Sequence, residues 1–187
     1  MRRIYLDYNA STPIDPAVAA AMRPFVADHF GNPSSGHWAA ASANAALERA
    51  RGQVAALLGC EDDEIVFTSG GSEANNLALK GAYFARRDGG DHIITTRIEH
   101  PAIAAPCRFL ERLGARITCL PVDRFGRVDP DDLSRGITPR TILISIMHAN
   151  NEVGTIQPIR SARASPASMA SSSIPTPLNR LAKLQPT

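Results

Sequence analysis

Three stretches of this 187-residue chain combine residue types and spacing that could do chemistry. In Phe67-Thr68-Ser69-Gly70-Gly71-Ser72-Glu73-Ala74-Asn75-Asn76 a β-type run ends in two glycines and a hydroxyl residue, and a helical pattern begins. A helix start leaves free N–H donors and the positive end of its dipole facing the loop, and glycines let a phosphate come close to the backbone. Gly70, Gly71 and Ser72 therefore form a candidate phosphate cradle. The alternative is an ordinary turn in which Ser69 or Ser72 caps the helix. Neither a GxGxxG nor a GxxxxGK(S/T) pattern occurs, which argues against dinucleotide and P-loop sites.

The second stretch, Thr96-Arg97-Ile98-Glu99-His100-Pro101, places a histidine between the end of a strand pattern and a helix whose first residue is Pro101. Ligands of open α/β sheets bind at the carboxyl ends of strands, so His100 is a candidate contact, with a helix cap or a surface residue as the plainer reading. The third, Met147-His148-Ala149-Asn150-Asn151-Glu152-Val153-Gly154, follows the most apolar run of the chain and sets four polar side chains in a row; a polar loop is its plainer reading. Cys60, Cys107 and Cys119 are an odd, scattered set without CxxC spacing, which suggests inert thiols and neither a disulfide framework nor a metal site.

The elements that must position these residues follow from periodicity. Asp15 as N-cap and Pro16 at the first helical position start a helix that reads to Phe30, with Val18, Met22 and Phe25 on one side and Pro24 as a potential kink. After the turn-rich Gly31-Asn32-Pro33-Ser34-Ser35-Gly36, a longer helix is expected from Trp38 to Leu58, striped by Leu47, Ala50, Val54 and Leu57 and stopped by Gly59. Both are expected to pack. Strands are expected at Glu64 to Thr68, His92 to Thr96, Arg116 to Leu120 and Thr141 to Met147, with helices at Ser72 to Arg87 and Pro101 to Leu113. This alternation predicts an α/β fold with a mostly parallel sheet and flanking helices, and the nearly continuous apolar run from Thr141 reads as its central strand.

Composition narrows the partners. A net charge of +2 with no dense Lys/Arg run gives no footprint for nucleic acid or an anionic membrane, and no apolar run is long enough to span a bilayer. Small molecules and a cytoplasmic location are expected.

The order and spacing of these stretches carry a resemblance. Tyr5-Leu6-Asp7-Tyr8-Asn9-Ala10-Ser11-Thr12-Pro13, Phe30-Gly31-Asn32-Pro33-Ser34-Ser35, the runs from Phe67 and from Ile98, and Met147 to Pro158 resemble the cysteine desulfurases of the class V aminotransferase superfamily, up to about residue 159. The resemblance implies the large domain of a fold-type I pyridoxal phosphate (PLP) enzyme that takes sulfur from L-cysteine, leaves alanine and passes an enzyme persulfide to sulfur-acceptor proteins for iron–sulfur cluster or thio-cofactor assembly, as a homodimer. By that resemblance Gly71 and Ser72 bind the PLP phosphate, His100 stacks on the pyridine ring, Asn151 lies beside cofactor and substrate, and Asn9-Ala10-Ser11 lines the substrate entrance.

PLP chemistry needs a lysine to hold the cofactor and an acid to keep its ring nitrogen protonated. Lys80, inside a helix pattern, and Lys183 are the only lysines, and neither occupies the family's lysine motif; no cysteine occupies its persulfide motif, and its ring-nitrogen aspartate is absent. No catalytic residue is therefore assigned, and the chain is expected to be an inactive, truncated amino-terminal part. The alternatives are a fragment of a selenocysteine lyase or another class V enzyme, and a non-catalytic protein that binds PLP or a partner.

The expected organisation is an amino-terminal segment at 1–14, a partial PLP-binding domain at 15–159 and an irregular, disordered tail at 160–187. All 18 acidic residues lie at or before Glu152 and all aromatics at or before Phe125, so the composition breaks near residue 160. A reading-frame shift accounts for the break. With codons begun at the last base of the preceding codon, Met169 to Pro186 allow His-Gly-Ile-Val-Val-His-Thr-Asp-Ala-Ala-Gln-Ser-Val-Gly-Lys-Ile-Ala-Thr, which resembles the family segment that follows the Asn-Asn-Glu-Val-Gly motif and contains the missing aspartate. Nucleotide sequencing on both sides of codon 160 is expected to give this reading in the alternative frame, followed later by a Ser-x-His-Lys stretch. Any other translation there removes the explanation.

Overall fold

The computed structural model describes residues 3–8 and 10–159, which form two compact units, one up to Val66 and one from Phe67. In the first, α1 (Pro16–Ala27) starts where the Asp15 carboxylate accepts the Ala17 N–H at 2.8 Å, and Pro16 fits the first helical position because it has no N–H to satisfy. α1 runs through Pro24 and ends before Phe30. No residue of it is buried: Val18, Met22 and Phe25 are 51%, 50% and 40% exposed, so the expectation of a packed helix is not met within this unit. The period places the apolar stripe correctly but cannot say what covers it.

A short 3₁₀ turn at Trp38–Ala40 leads into α2 (Ala41–Leu58), closed by Gly59 in the left-handed conformation at φ 66°. The Gly59 N–H reaches Ala56 O and the Cys60 N–H reaches Ala55 O, satisfying carbonyls that the helix end leaves open. Ala55 is the buried residue of α2, and Leu57 of the expected stripe faces solvent. The strand expected at Glu64 to Thr68 is absent. Glu61 and Glu64 cap one another across a 3₁₀ turn at Asp62–Glu64, and the Arg51 guanidinium takes the carbonyl of Ile65, so the backbone groups are committed locally and no ladder forms.

In the second unit α3 (Gly71–Arg86), β1 (His92–Thr96), α4 (Pro101–Glu111), β2 (Arg116–Leu120), α5 (Pro130–Gly136) and β3 (Thr141–Ile144) build a parallel three-stranded sheet in the order β2-β1-β3. This is the expected α/β arrangement, except that β1 is in the middle and the run from Thr141, expected to be central, is not. β1 is buried at every residue, whereas β3 is half-buried and forms an edge among the described strands. β3 also stops short of Met147, because that residue's N–H leaves the ladder for the Glu99 side chain. α5 is an addition to the expected elements. It starts at Asp129, whose carboxylate accepts the Asp131 N–H at 2.9 Å, and it buries Leu133.

Each face of β1 has its own core. Ile93 packs with Leu79, Tyr83, Ile103, Cys107 and Leu110 under α3 and α4. Ile94 packs with Leu120, Val128 and Leu133 on the α5 side. At the amino end of the sheet, buried His92 spans all three strands through Thr118 on β2 and Thr141 on β3, at 2.8 Å each, and desolvation pushes its pKa down. Beside it the Nε groups of Arg116 and Arg140 donate to Asp91 Oδ1 at 3.1 and 2.9 Å. Among the described residues no helix is long and apolar enough to cross a membrane.

Ile93→Ala should cost about 2–5 kcal/mol in urea unfolding, the range for emptying a packed core site, whereas Leu57→Ala should leave the midpoint in place. The hydrogen bond from Arg140, aided by Arg116, holds the Asp91 carboxyl at about 2, below its ordinary 3.8. A depressed carboxyl adds stability that is complete above 3.8 and is lost as pH falls toward 2. Melting curves over that window should therefore fall more steeply for the native chain than for Asp91→Asn, by a small margin because the pair is exposed.

Candidate cofactor site

α3 begins at Gly70, whose φ of 156° and ψ of −178° lie in a region that is essentially glycine's alone. The cap role expected of Ser69 or Ser72 thus falls to a residue with no side chain. The first intrahelical bond runs from the Ala74 N–H to Gly70 O at 3.0 Å, and among the described residues no protein group accepts from the N–H of Gly71, Ser72 or Glu73. A Cβ placed on Gly70 or Gly71 would meet nothing within 4 Å, so the space beside these two glycines is open. The Glu73 carboxylate turns back instead to accept from Ser69 Oγ at 2.7 Å and Ser69 N–H at 2.6 Å, and these bonds hold its pKa below the usual carboxylate range.

His100 follows β1 and caps α4: its Nδ1 accepts the Ala102 N–H at 3.0 Å. The plainer reading of this residue is therefore realised, and it also has a chemical consequence. With Nδ1 committed as an acceptor, a neutral ring carries its proton on Nε2. The ring is exposed at the mouth of the loop.

Asn151 sits in the loop after β3, which is built by its neighbour. Asn150 is 8% exposed; its Oδ1 accepts the N–H groups of Glu152 and Val153 at 2.9 Å each, and its Nδ2 donates to Ile98 O at 3.2 Å. Main-chain bonds from Asn150 N to Thr155 O and from Gln157 N to His148 O close the loop as a narrow antiparallel pair. The Gln157 side chain, 3% exposed, joins it to Gly126 O and the Val128 N–H. Asn151 itself is exposed, and its Nδ2 donates to Glu152 Oε1 at 3.1 Å.

The topology gathers these residues at one edge. α3 ends just before β1 begins, so its start lies toward the carboxyl ends of the strands, where the His100 and Asn151 loops also emerge. The two loops are bonded to one another, by Asn150 to Ile98 O and by the Met147 N–H to Glu99 Oε1 at 2.8 Å. Sequence alone does not single out Glu99, Asn150 and Gln157, which hold this edge together, because each acts through partners about 30 to 50 residues away. Thr95 Oγ1 on β1 is the buried side-chain atom without a partner among the described residues.

Other candidates fall away from this edge. Lys80 lies over the Phe109 ring, 4.6 Å from its centroid, in the packing of α3 on α4. Burial pushes the Cys107 thiol up to about 11, which makes it a poor nucleophile. Ser11 belongs to the first unit, where its Oγ is 3.0 Å from the Tyr5 hydroxyl; Asn9, Lys183 and the tail from residue 160 lie outside the described residues.

Over 159 residues the chain is 55% identical to the cysteine desulfurase IscS of Dictyoglomus turgidum and 50% identical to that of Methanosarcina thermophila, covering 85% of this chain and 40% and 39% of theirs. The fold matches a solved NifS-like protein with a TM-score of 0.83 and 38% identity over 89% of this chain and 47% of that one. A structure described as SspA in complex with cysteine gives 0.80 and 44%, over 84% and 46%. The chain thus spans less than half the length of each of these proteins. Residues 4–166 match the family model described as Aminotransferase class-V, and the chain belongs to that family.

Proposed function

We propose that the chain is the amino-terminal portion of a cysteine desulfurase and contributes the phosphate and ring contacts of a PLP site, without the groups that carry out the reaction. The observation that carries the reading is the start of α3, where the Gly71, Ser72 and Glu73 N–H groups have no protein acceptor among the described residues and the space beside Gly70 and Gly71 is open. Free donors at the positive end of a 16-residue helix, reached over glycines, suit a phosphate dianion. In this reading Gly71 and Ser72 hold the phosphate, His100 offers a flat imidazole to the pyridine ring, and Asn151 presents an exposed amide beside cofactor and substrate. PLP, when bound, supplies an electron sink for bonds at the α-carbon of an amino acid.

L-cysteine is the proposed substrate of the whole protein, supported by the names of the relatives and by the neighbour solved with cysteine. Alanine and an enzyme persulfide are the proposed products, with sulfur-acceptor proteins as partners, a homodimeric assembly and a cytoplasmic location. The engagement of Lys80 with Phe109 and the burial of Cys107 support assigning neither to the reaction.

With PLP and a dithiol present to reduce any persulfide, the 187-residue chain should therefore release no sulfide from L-cysteine above a protein-free control, and borohydride should fix no cofactor to it. Under the same reducing conditions the product of the gene read through in the alternative frame should release sulfide and alanine in equal amounts, the dithiol supplying the two electrons that free sulfide from the persulfide. Sulfide release by the 187-residue chain, or an inactive read-through product that binds PLP, would overturn the reading.

A further inference from the structure

We propose that Glu99 is a positioning residue, whose carboxylate sets the His100 loop against the Asn151 loop. Three observations carry this. First, Glu99 Oε1 accepts both the Met147 N–H, at 2.8 Å, and the Thr96 hydroxyl, at 3.1 Å. One oxygen thus ties the last residue of β1 to the chain beyond β3, on the side of the sheet from which both loops leave. Second, the tie is returned: Asn150 Nδ2 donates to Ile98 O, the residue before Glu99, while Asn150 Oδ1 shapes the turn that carries Asn151. Ile98, Glu99 and His100 are consecutive and do different things, since Ile98 accepts from Asn150, Glu99 accepts from Met147 and His100 caps α4. Third, the carboxylate is held at a cost. Desolvation raises its pKa against the opposing effect of the Met147 and Thr96 bonds, so a carboxyl is kept partly buried where an apolar residue would carry no such penalty. Groups of that kind concentrate at functional sites.

Glu99 touches neither of the proposed cofactor contacts and acts through the backbone between them. Without it, the Met147 N–H and the Thr96 hydroxyl lose their acceptor, and the loops are joined at Asn150 alone. The role depends on the cofactor reading only for what the two loops face.

The test uses the full 187-residue chain labelled with ¹⁵N and two readouts, the ring nitrogen signals of His100 and PLP affinity from equilibrium dialysis. In the native chain one tautomer of the His100 ring should dominate, with Nδ1 as the acceptor and the proton on Nε2. Glu99→Ala should blur that signature and weaken PLP binding about tenfold, the scale on which a displaced positioning group is felt. Glu99→Gln, whose amide oxygen accepts the same two bonds, should restore both, and Glu99→Asp, one methylene short, should not. If Glu99→Ala fails to fold, Glu99→Asp against Glu99→Gln decides. A purely structural role predicts lower melting temperatures with the His100 signals and PLP affinity unchanged, and that result overturns the proposal. Should the native chain bind no PLP, the cofactor reading fails, and the His100 signals alone decide the role of Glu99: altered in Glu99→Ala and restored in Glu99→Gln supports it, unaltered sinks it.

Discussion

Backbone N–H and C=O groups taken out of water must be paired, and at β1 that requirement organises the second unit. Five consecutive residues are buried on both faces, so both edges of the strand have to be occupied by other strands and both faces by helices. β2 and β3 meet the first need, and α3, α4 and α5 meet the second. Because all three strands run the same way, every connection must return across the sheet, and the segments leaving the strands collect at one end. The His100 and Asn151 loops are neighbours for that reason, although about fifty residues separate them. The opposite end is tied shut by His92, Asp91, Arg116 and Arg140, which leaves the carboxyl edge as the end open to a ligand.

Local chemistry is legible in the sequence wherever a single residue type settles the geometry. Asp15 with Pro16, His100 with Pro101 and Gly59 mark helix ends because a cap, a ring or a left-handed glycine has few other uses at those positions. Asp129 with Pro130 is the same signal but a weaker one, since the seven-residue helix behind it has one buried side chain and no period to notice. The apolar run from Ile65 to Phe67 misleads in the opposite direction: only Ile65 is buried, and the acidic turn before it is closed on itself. Apolar patterning reports what a segment needs. It does not report whether a partner strand supplies it.

The site divides along the same line. Gly70, Gly71 and Ser72 can be named from sequence because a main-chain cradle depends on glycine and on the start of a helix, both local properties. Glu99, Asn150 and Gln157 cannot, because hydrogen-bond partners remote in sequence leave no periodic trace. Such residues announce themselves only once a fold brings carbonyl and amide within about 3 Å of them. Asn150 and Asn151 illustrate the limit. They are adjacent and identical in type, yet one is buried with its side chain bonded both to its own turn and to Ile98, and the other is exposed upon that turn.

This division bears on how the cradle and the loops respond to change. Donors on a helix start belong to the backbone, and most substitutions of the surrounding side chains leave them in place so long as Gly70 can keep a φ of 156°. The loops have no comparable protection, since the link between them rests on the side chains of Glu99 and Asn150. A buried acceptor that loses its donor, or a donor its acceptor, forfeits the desolvation already incurred as well as the bond. The helix-start donors are thus the more rugged of the two features, and the setting of the His100 loop against the Asn151 loop is the one on which small sequence changes act.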